Sequence, residues 1–162
     1  MEPIYEGTLK GISYEDYESY RKDFTELRTA IEILSHKAEK VETYMKGLYK
    51  AVDQTLQMPS DFKAELVSLE NKLSSLSKQI EGSASRDEIG ERNPPSISSH
   101  FSVAYRGLST TYGPTKNHTN SMNLAKEMLA EIQPELESLI QEVQAYAKKL
   151  EDAGAPVILG SL

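Results

Sequence analysis

The sequence predicts an all-α fold: an elongated antiparallel helical bundle of two long and two shorter helices with coiled-coil-like packing. Three observations carry this. Apolar residues repeat without a slip from Tyr17 through Tyr20, Phe24, Leu27, Ile31, Leu34, Ala38, Val41, Met45 and Leu48 to Val52. Their alternating steps of three and four draw a stripe down one side of a helix. No proline falls between Pro3 and Pro59, so nothing forces that helix to stop. Such a helix is roughly 65 Å long, too long for a compact chain of this size, whose radius of gyration is near 15 Å.

Each element follows from local signals. Residues 1–12 carry a proline and two glycines and read as a lead-in or linker. Ser13 is the expected N-cap of a first helix from Tyr14 to Gln57, with Glu15 and Asp16 in the first turn favouring the helix dipole. Ser60 is placed as the cap of a second helix whose stripe is Phe62, Leu66, Leu69, Leu73, Leu76 and Ile80, closed by Gly82. The polar stretch 83–95, ending in Pro94-Pro95, is expected to be a mobile connector. A short third helix spans Ser96 to Ser109, with Ile97, Phe101, Tyr105 and Leu108 inward, and a turn follows over Thr110–Pro114. The fourth helix runs from about Thr115 to Ala153 on a stripe of Ala125, Met128, Ile132, Leu136, Leu139, Val143, Tyr146 and Leu150. Pro134 inside it predicts a bend, not two separate helices. The bundle domain therefore covers 13–155, and the tail 156–162, apolar over Pro156-Val157-Ile158-Leu159, is a segment that could dock back on it.

Composition narrows the function classes. Apolar residues are 38% of the 162, with no Trp and three Phe, lean for a globule but normal for helices that each show one face to water. The net charge of −7 has its signs interspersed, as in Glu18–Lys22 and Glu42–Lys46 at i,i+4. With no basic patch, nucleic acid is not an expected partner. With no run of 18 apolar residues, membrane insertion is not expected. The absence of cysteine removes disulfides and thiolate metal sites and leaves the compartment open.

Candidate chemistry is sparse. Di-iron bundles need Glu-x-x-His on two helices. Here Glu32 and His36 are spaced i,i+4, once, and His36 lies off the stripe; with His100 and His118 it reads as a solvated histidine, so no metal or cofactor is expected. Asp87 and Glu88 could form a glycosidase-type carboxylate pair, but they sit in a polar loop with nothing to hold their geometry. Ser109 has no base or orienting partner in reach of the sequence pattern. Asn117-His118-Thr119 matches a glycosylation sequon of the kind that arises often by chance. The tyrosines are more informative. Tyr5, Tyr14, Tyr17 and Tyr20 gather at the start of the chain, and tyrosine suits interfaces because it buries area while keeping a polar tip. They are candidate interface residues; the alternative is that they pack on the end of the fourth helix.

From Glu91 onward the chain runs Pro94-Pro95-Ser96 into a short helix, then Leu108-Ser109-Thr110-Thr111 with Pro114-Thr115 nearby. A long helix then ends in Leu150-Glu151-Asp152-Ala153-Gly154-Ala155-Pro156. With Ser13-Tyr14-Glu15-Asp16-Tyr17 opening a long helix, this resembles the C-terminal helical region of bacterial sortilin-like (BNR-repeat) β-propeller proteins, often labelled glycosyl hydrolases. The resemblance covers nearly the whole chain from Ser13. It implies a larger, periplasmic or secreted parent whose enzymatic activity belongs to the propeller, with no catalytic residue in the helical part. It also implies a partner, the β-propeller of the same parent chain or another protein. The stripe positions of the first helix can be covered by the three later helices or by a second chain, so a homodimer stands beside the monomer as an open alternative. The leading reading is a non-catalytic interaction or scaffolding domain. The alternatives are a ligand-sensing helical bundle of a bacterial receptor, which requires convergent polar groups around a cavity, and a glycosidase, for which no carboxylate pair presents itself.

Overall fold

The computed structural model describes residues 11–55 and 59–156. Helix α1 runs Tyr14–Gln54 and starts where the sequence places it: the Ser13 hydroxyl oxygen accepts the Asp16 amide at 3.1 Å. It ends at Gln54 instead of Gln57, where Thr55 turns extended and donates its N–H to the Val52 carbonyl. Helix α2 is Ser60–Glu81, and here Pro59, not Ser60, is the cap residue. Proline fits because its ring fixes φ near the required value; its φ is −58°, and its carbonyl accepts the Phe62 amide at 3.1 Å. Gly82 closes α2 at φ +96°, a left-handed conformation that side chains resist.

The stretch expected to be an irregular connector instead holds a short helix, α3, over Ala84–Glu88. Backbone bonds Arg86 N–H to Ser83 O and Glu91 N–H to Arg86 O build it, and Asn93 Nδ2 donates back to the Ser83 carbonyl at 3.1 Å. Its polar sequence has no apolar stripe to announce a helix. Helix α4 spans Ile97–Arg106 behind a reciprocal Ser96/Ser99 capping box. The predicted continuation to Ser109 tightens into a 3-10 turn, Gly107–Ser109. Helix α5 runs Lys116–Asp152 behind Thr115, whose N–H donates to His118 Nδ1 at 3.1 Å, and it passes through Pro134 as one helix. No strand occurs among the described residues.

Side-chain pairs between elements fix the topology. Lys63 meets Asp53 and Tyr49 meets Glu70, so α2 runs antiparallel to α1. Lys149 meets Glu65 and Lys72 meets Glu142, so α2 is antiparallel to α5 as well. Lys126 meets Asp23 and Lys37 meets Glu137, which makes the two long helices parallel to each other. Helix α4 also opposes α1: Tyr20 reaches Ala104 and Phe24 stacks on Phe101 with ring centroids 4.6 Å apart. The molecule is thus a rod of three mutually packed columns: α1, α5, and a column made by the middle of the chain, α2 followed by α4. That middle column is broken between Glu81 and Ile97.

The core follows the predicted stripes. Tyr20 through Val52 on α1, Leu66 through Ile80 on α2, and Ile132, Leu136, Leu139, Val143, Tyr146 and Leu150 on α5 are buried in one continuous cluster. Several predicted positions, among them Tyr17, Ile31, Phe62, Phe101, Leu108 and Met128, are only partly buried at the margin of this cluster. Ile31 is only half-buried, because it faces the break in the middle column. Tyr105, expected inward, is 59% exposed; Ala104 takes the core position and turns Tyr105 to the flank. The buried Ala51, Met122 and Ala147 fall outside the predicted stripes.

Candidate functional site

The tyrosine cluster divides in two. Tyr20 is 6% exposed and its hydroxyl donates to the Ala104 carbonyl at 2.7 Å; Tyr17 is half-buried and donates to the Leu108 carbonyl at 2.9 Å. Both therefore clamp α1 to the end of α4 and its 3-10 turn, an internal role in place of the interface expected for them. Burial raises the Tyr20 hydroxyl above the usual tyrosine range. The alternative places them on the end of the fourth predicted helix; the Tyr20 hydroxyl does lie beside the start of that helix, at His118, although the bonds of both hydroxyls go to α4 and its 3-10 turn. Tyr14 is 77% exposed, while Tyr5 lies outside the described residues, as do residues 157–159 of the apolar tail.

Around Tyr14 the structure assembles an aromatic tip that the sequence pattern does not reveal. Ile12 donates its N–H to the Tyr112 carbonyl at 3.1 Å, tying the start of the chain to the turn before α5. The Ile12 side chain lies against Gly113, where a Cβ would come within 2.4 Å of it, so a glycine at φ +91° is required there. Ile12, Tyr14 and Tyr112 are all exposed at this end of the rod. Further along the flank, Phe24, Arg28, Ile31, Glu32, Phe101 and Tyr105 line an open groove of about 460 Å³ between α1 and α4. The Phe24–Phe101 stack forms its floor and the Arg28–Glu32 ion pair, at 2.8 Å, its rim.

A second concavity lies on the α4–α5 side of the same break. It is an open depression of about 880 Å³ whose lining includes the polar side chains of Arg92, Ser96, Ser99, His100, Asn117 and Ser121. This second hollow lies where the middle column stops at Gly82 and resumes at Ile97. The Gly82 and Pro94-Pro95 breakers were the available sequence signal.

The other candidate residues stay apart. His36 is exposed beside Glu39 at 3.2 Å, His118 is held at the start of α5, and His100 lines the polar depression. No group of three or more potential metal ligands gathers among the described residues. Glu88 is exposed on α3, the side chain of Asp87 lies outside the described set, and Ser109 donates to the Arg106 carbonyl. No described helix is long and apolar enough to cross a membrane. Compared with protein-family models, curated proteins and solved structures, the chain finds no match.

Proposed function

We propose that the chain is a non-catalytic interaction and scaffolding domain: a stiff helical spacer that presents an aromatic tip to a partner. The observation that carries this reading is the parallel run of α1 and α5, tied by Asp23–Lys126 and Lys37–Glu137. With both long helices pointing the same way, residues 11 and 156 lie at opposite ends of the rod, roughly 55–60 Å apart at ~1.5 Å per residue. The partner is a β-propeller, in keeping with the resemblance of residues 13–156 to the helical region that follows sortilin-like propellers, and the parent is an exported protein. Ile12, Tyr14 and Tyr112 are the contact residues, since exposed aromatic side chains grouped at one end suit an interface core.

Small-angle scattering tests the spacer. A radius of gyration well above the ~15 Å of a compact chain is expected, and a value at that figure overturns the reading. Binding to a separately expressed propeller of that family tests the partner: Tyr14→Ala should weaken it by at least about tenfold if Tyr14 is an anchor. Turnover on a glycoside panel that a single Asp or Glu replacement abolishes would instead make the fragment itself an enzyme.

The polar depression at the column break favours one second reading, a ligand-sensing bundle. Its hydroxyl, amide, imidazole and guanidinium groups suit a small polar molecule. Thermal unfolding against a panel of sugars and amino acids separates the two: a rise lost in Ser96→Ala or Asn117→Ala selects the sensor.

A further inference from the structure

We propose that the polar depression at the column break binds a small zwitterion, of the class of a free α-amino acid. The inference rests on the ligand-binding reading of that depression and supplies the chemistry of its ligand. Two charges of opposite sign line the hollow, Glu81 at the end of α2 and Arg92 shortly before α4. Charges that face one another across the helices are matched elsewhere on the rod, as in Lys72–Glu142 and Lys126–Asp23. Glu81 and Arg92 are not. Among the described residues neither has an ion-pair or hydrogen-bond partner, and they do not close on each other. A molecule that carries both charges can bridge them.

The helix ends reinforce that arrangement. Helix α2 stops where α4 starts: a Cβ on Gly82 would lie 3.7 Å from Ser96 Oγ and from Asn93 Nδ2. Glu81 therefore stands at the negative pole of one helix and Arg92 near the positive pole of the next, each beside partial charge of its own sign. A ligand ammonium at Glu81 and a ligand carboxylate at Arg92 relieve both. The first turn of α4 holds no acidic residue, and the Ser98 N–H has no acceptor among the described residues, so it can join Arg92 on the carboxylate. On the α5 wall, Ser121 is 6% exposed, yet its hydroxyl has no hydrogen-bond partner among the described residues. A buried polar group of this kind is costly unless something outside the chain satisfies it. With His100 and Asn117, which line the same hollow, it can meet the ligand's remaining polar atoms. An uncharged sugar would leave Glu81 and Arg92 unmatched, and a simple anion would face the Glu81 carboxylate.

Isothermal titration with the free proteinogenic L-amino acids reads the binding, and each binder is repeated as its N-acetyl and its carboxamide derivative. At least one amino acid should bind saturably, and loss of either ligand charge should weaken it by about tenfold or more. Glu81→Gln should erase the preference over the N-acetyl form, and Arg92→Gln the preference over the carboxamide. Both side chains are exposed, and helical circular dichroism verifies that each variant folds. Ser121→Ala should weaken binding without lowering the melting temperature of the free protein, because the hydroxyl it removes bonds nothing in the chain. A lower melting temperature with unchanged affinity overturns that role. The absence of saturable amino-acid binding, or binding indifferent to both charge variants, overturns the proposal. If an uncharged sugar binds in place of amino acids, the proposal falls and the sensor reading stands. If neither binds, both fall.

Discussion

The Tyr20 hydroxyl and any side chain at position 107 are mutually exclusive occupants of one space, which Gly107 leaves to the tyrosine. A Cβ added at Gly107 would come within 2.8 Å of Tyr20 Oη, with the His118 and Pro114 side chains 3.0 and 3.1 Å away. The tight approach lets Tyr20 reach the Ala104 carbonyl one turn earlier and seals the junction of α1, α4 and the start of α5.

Tyr20→Phe removes that hydrogen bond without opening a cavity, so it should cost about 0.5–1.5 kcal/mol. Gly107→Ala overpacks the junction and should cost about 1–3 kcal/mol. Because the two changes share one contact, the double variant should be more stable than their sum predicts. Urea unfolding of the four proteins measures this coupling, and strict additivity would place the clash on His118 and Pro114 instead.

Truncation along the α1 stripe should separate covered from uncovered positions. Leu48 is wholly buried between the columns, and Leu48→Ala should cost about 2–5 kcal/mol. Ile31→Ala, at the column break, should cost only about 1 kcal/mol, since part of its surface is already wet. Equal losses in denaturant midpoint would mean that something covers Ile31 in solution.

Stability should fall once the pH passes the value at which the tyrosines of an unfolded chain ionise. Tyr49 and Tyr146 are each pushed up from 10 to about 12, first by burial and then by the Glu70 hydrogen bond and the Glu65 charge respectively. Between pH 10 and 12 the folded state therefore holds protons that the unfolded state releases. Stability is full below pH 10 and is lost as the pH rises towards 12. The Tyr146 phenolate could no longer donate to the Phe62 carbonyl, which it holds at 2.9 Å. Denaturant midpoints across that range should decline, and the decline should be shallower in Tyr49→Phe.

Pro134 is exposed within α5 and donates no backbone bond there. Alanine restores that bond and offsets it with a more flexible unfolded chain, a net gain of about 1–3 kcal/mol. A higher melting temperature for Pro134→Ala is the expected readout.

Legibility from sequence tracked how much of each side chain's environment was local. The stripes of α1, α2 and α5 could be read because a helix buries one face with a fixed period, whatever it packs on. Ser13 marks a helix start through its cap, again a local matter, whereas the cap expected at Ser60 falls one residue earlier, on Pro59. Tyr17 and Tyr20 could not be assigned, because their hydroxyl partners lie on carbonyls far along the chain, at Leu108 and Ala104. Tyr105 misled for a related reason. On the short α4 a small residue, Ala104, fits the crowded junction better than the ring beside it. The two hollows were invisible because they depend on which helices stand next to the gap, and periodicity says nothing about neighbours.

Extending the register of the Lys72–Glu142 and Glu65–Lys149 pairs by two turns brings Ile80, the last buried residue of α2, level with Pro134. At that height the rod thins from three plies to two, and one of the two lacks a strut of its own backbone ladder. Flexure under load concentrates where a beam is thinnest. Bending forces applied at the tips would therefore be absorbed at this waist, leaving the segments on either side straight.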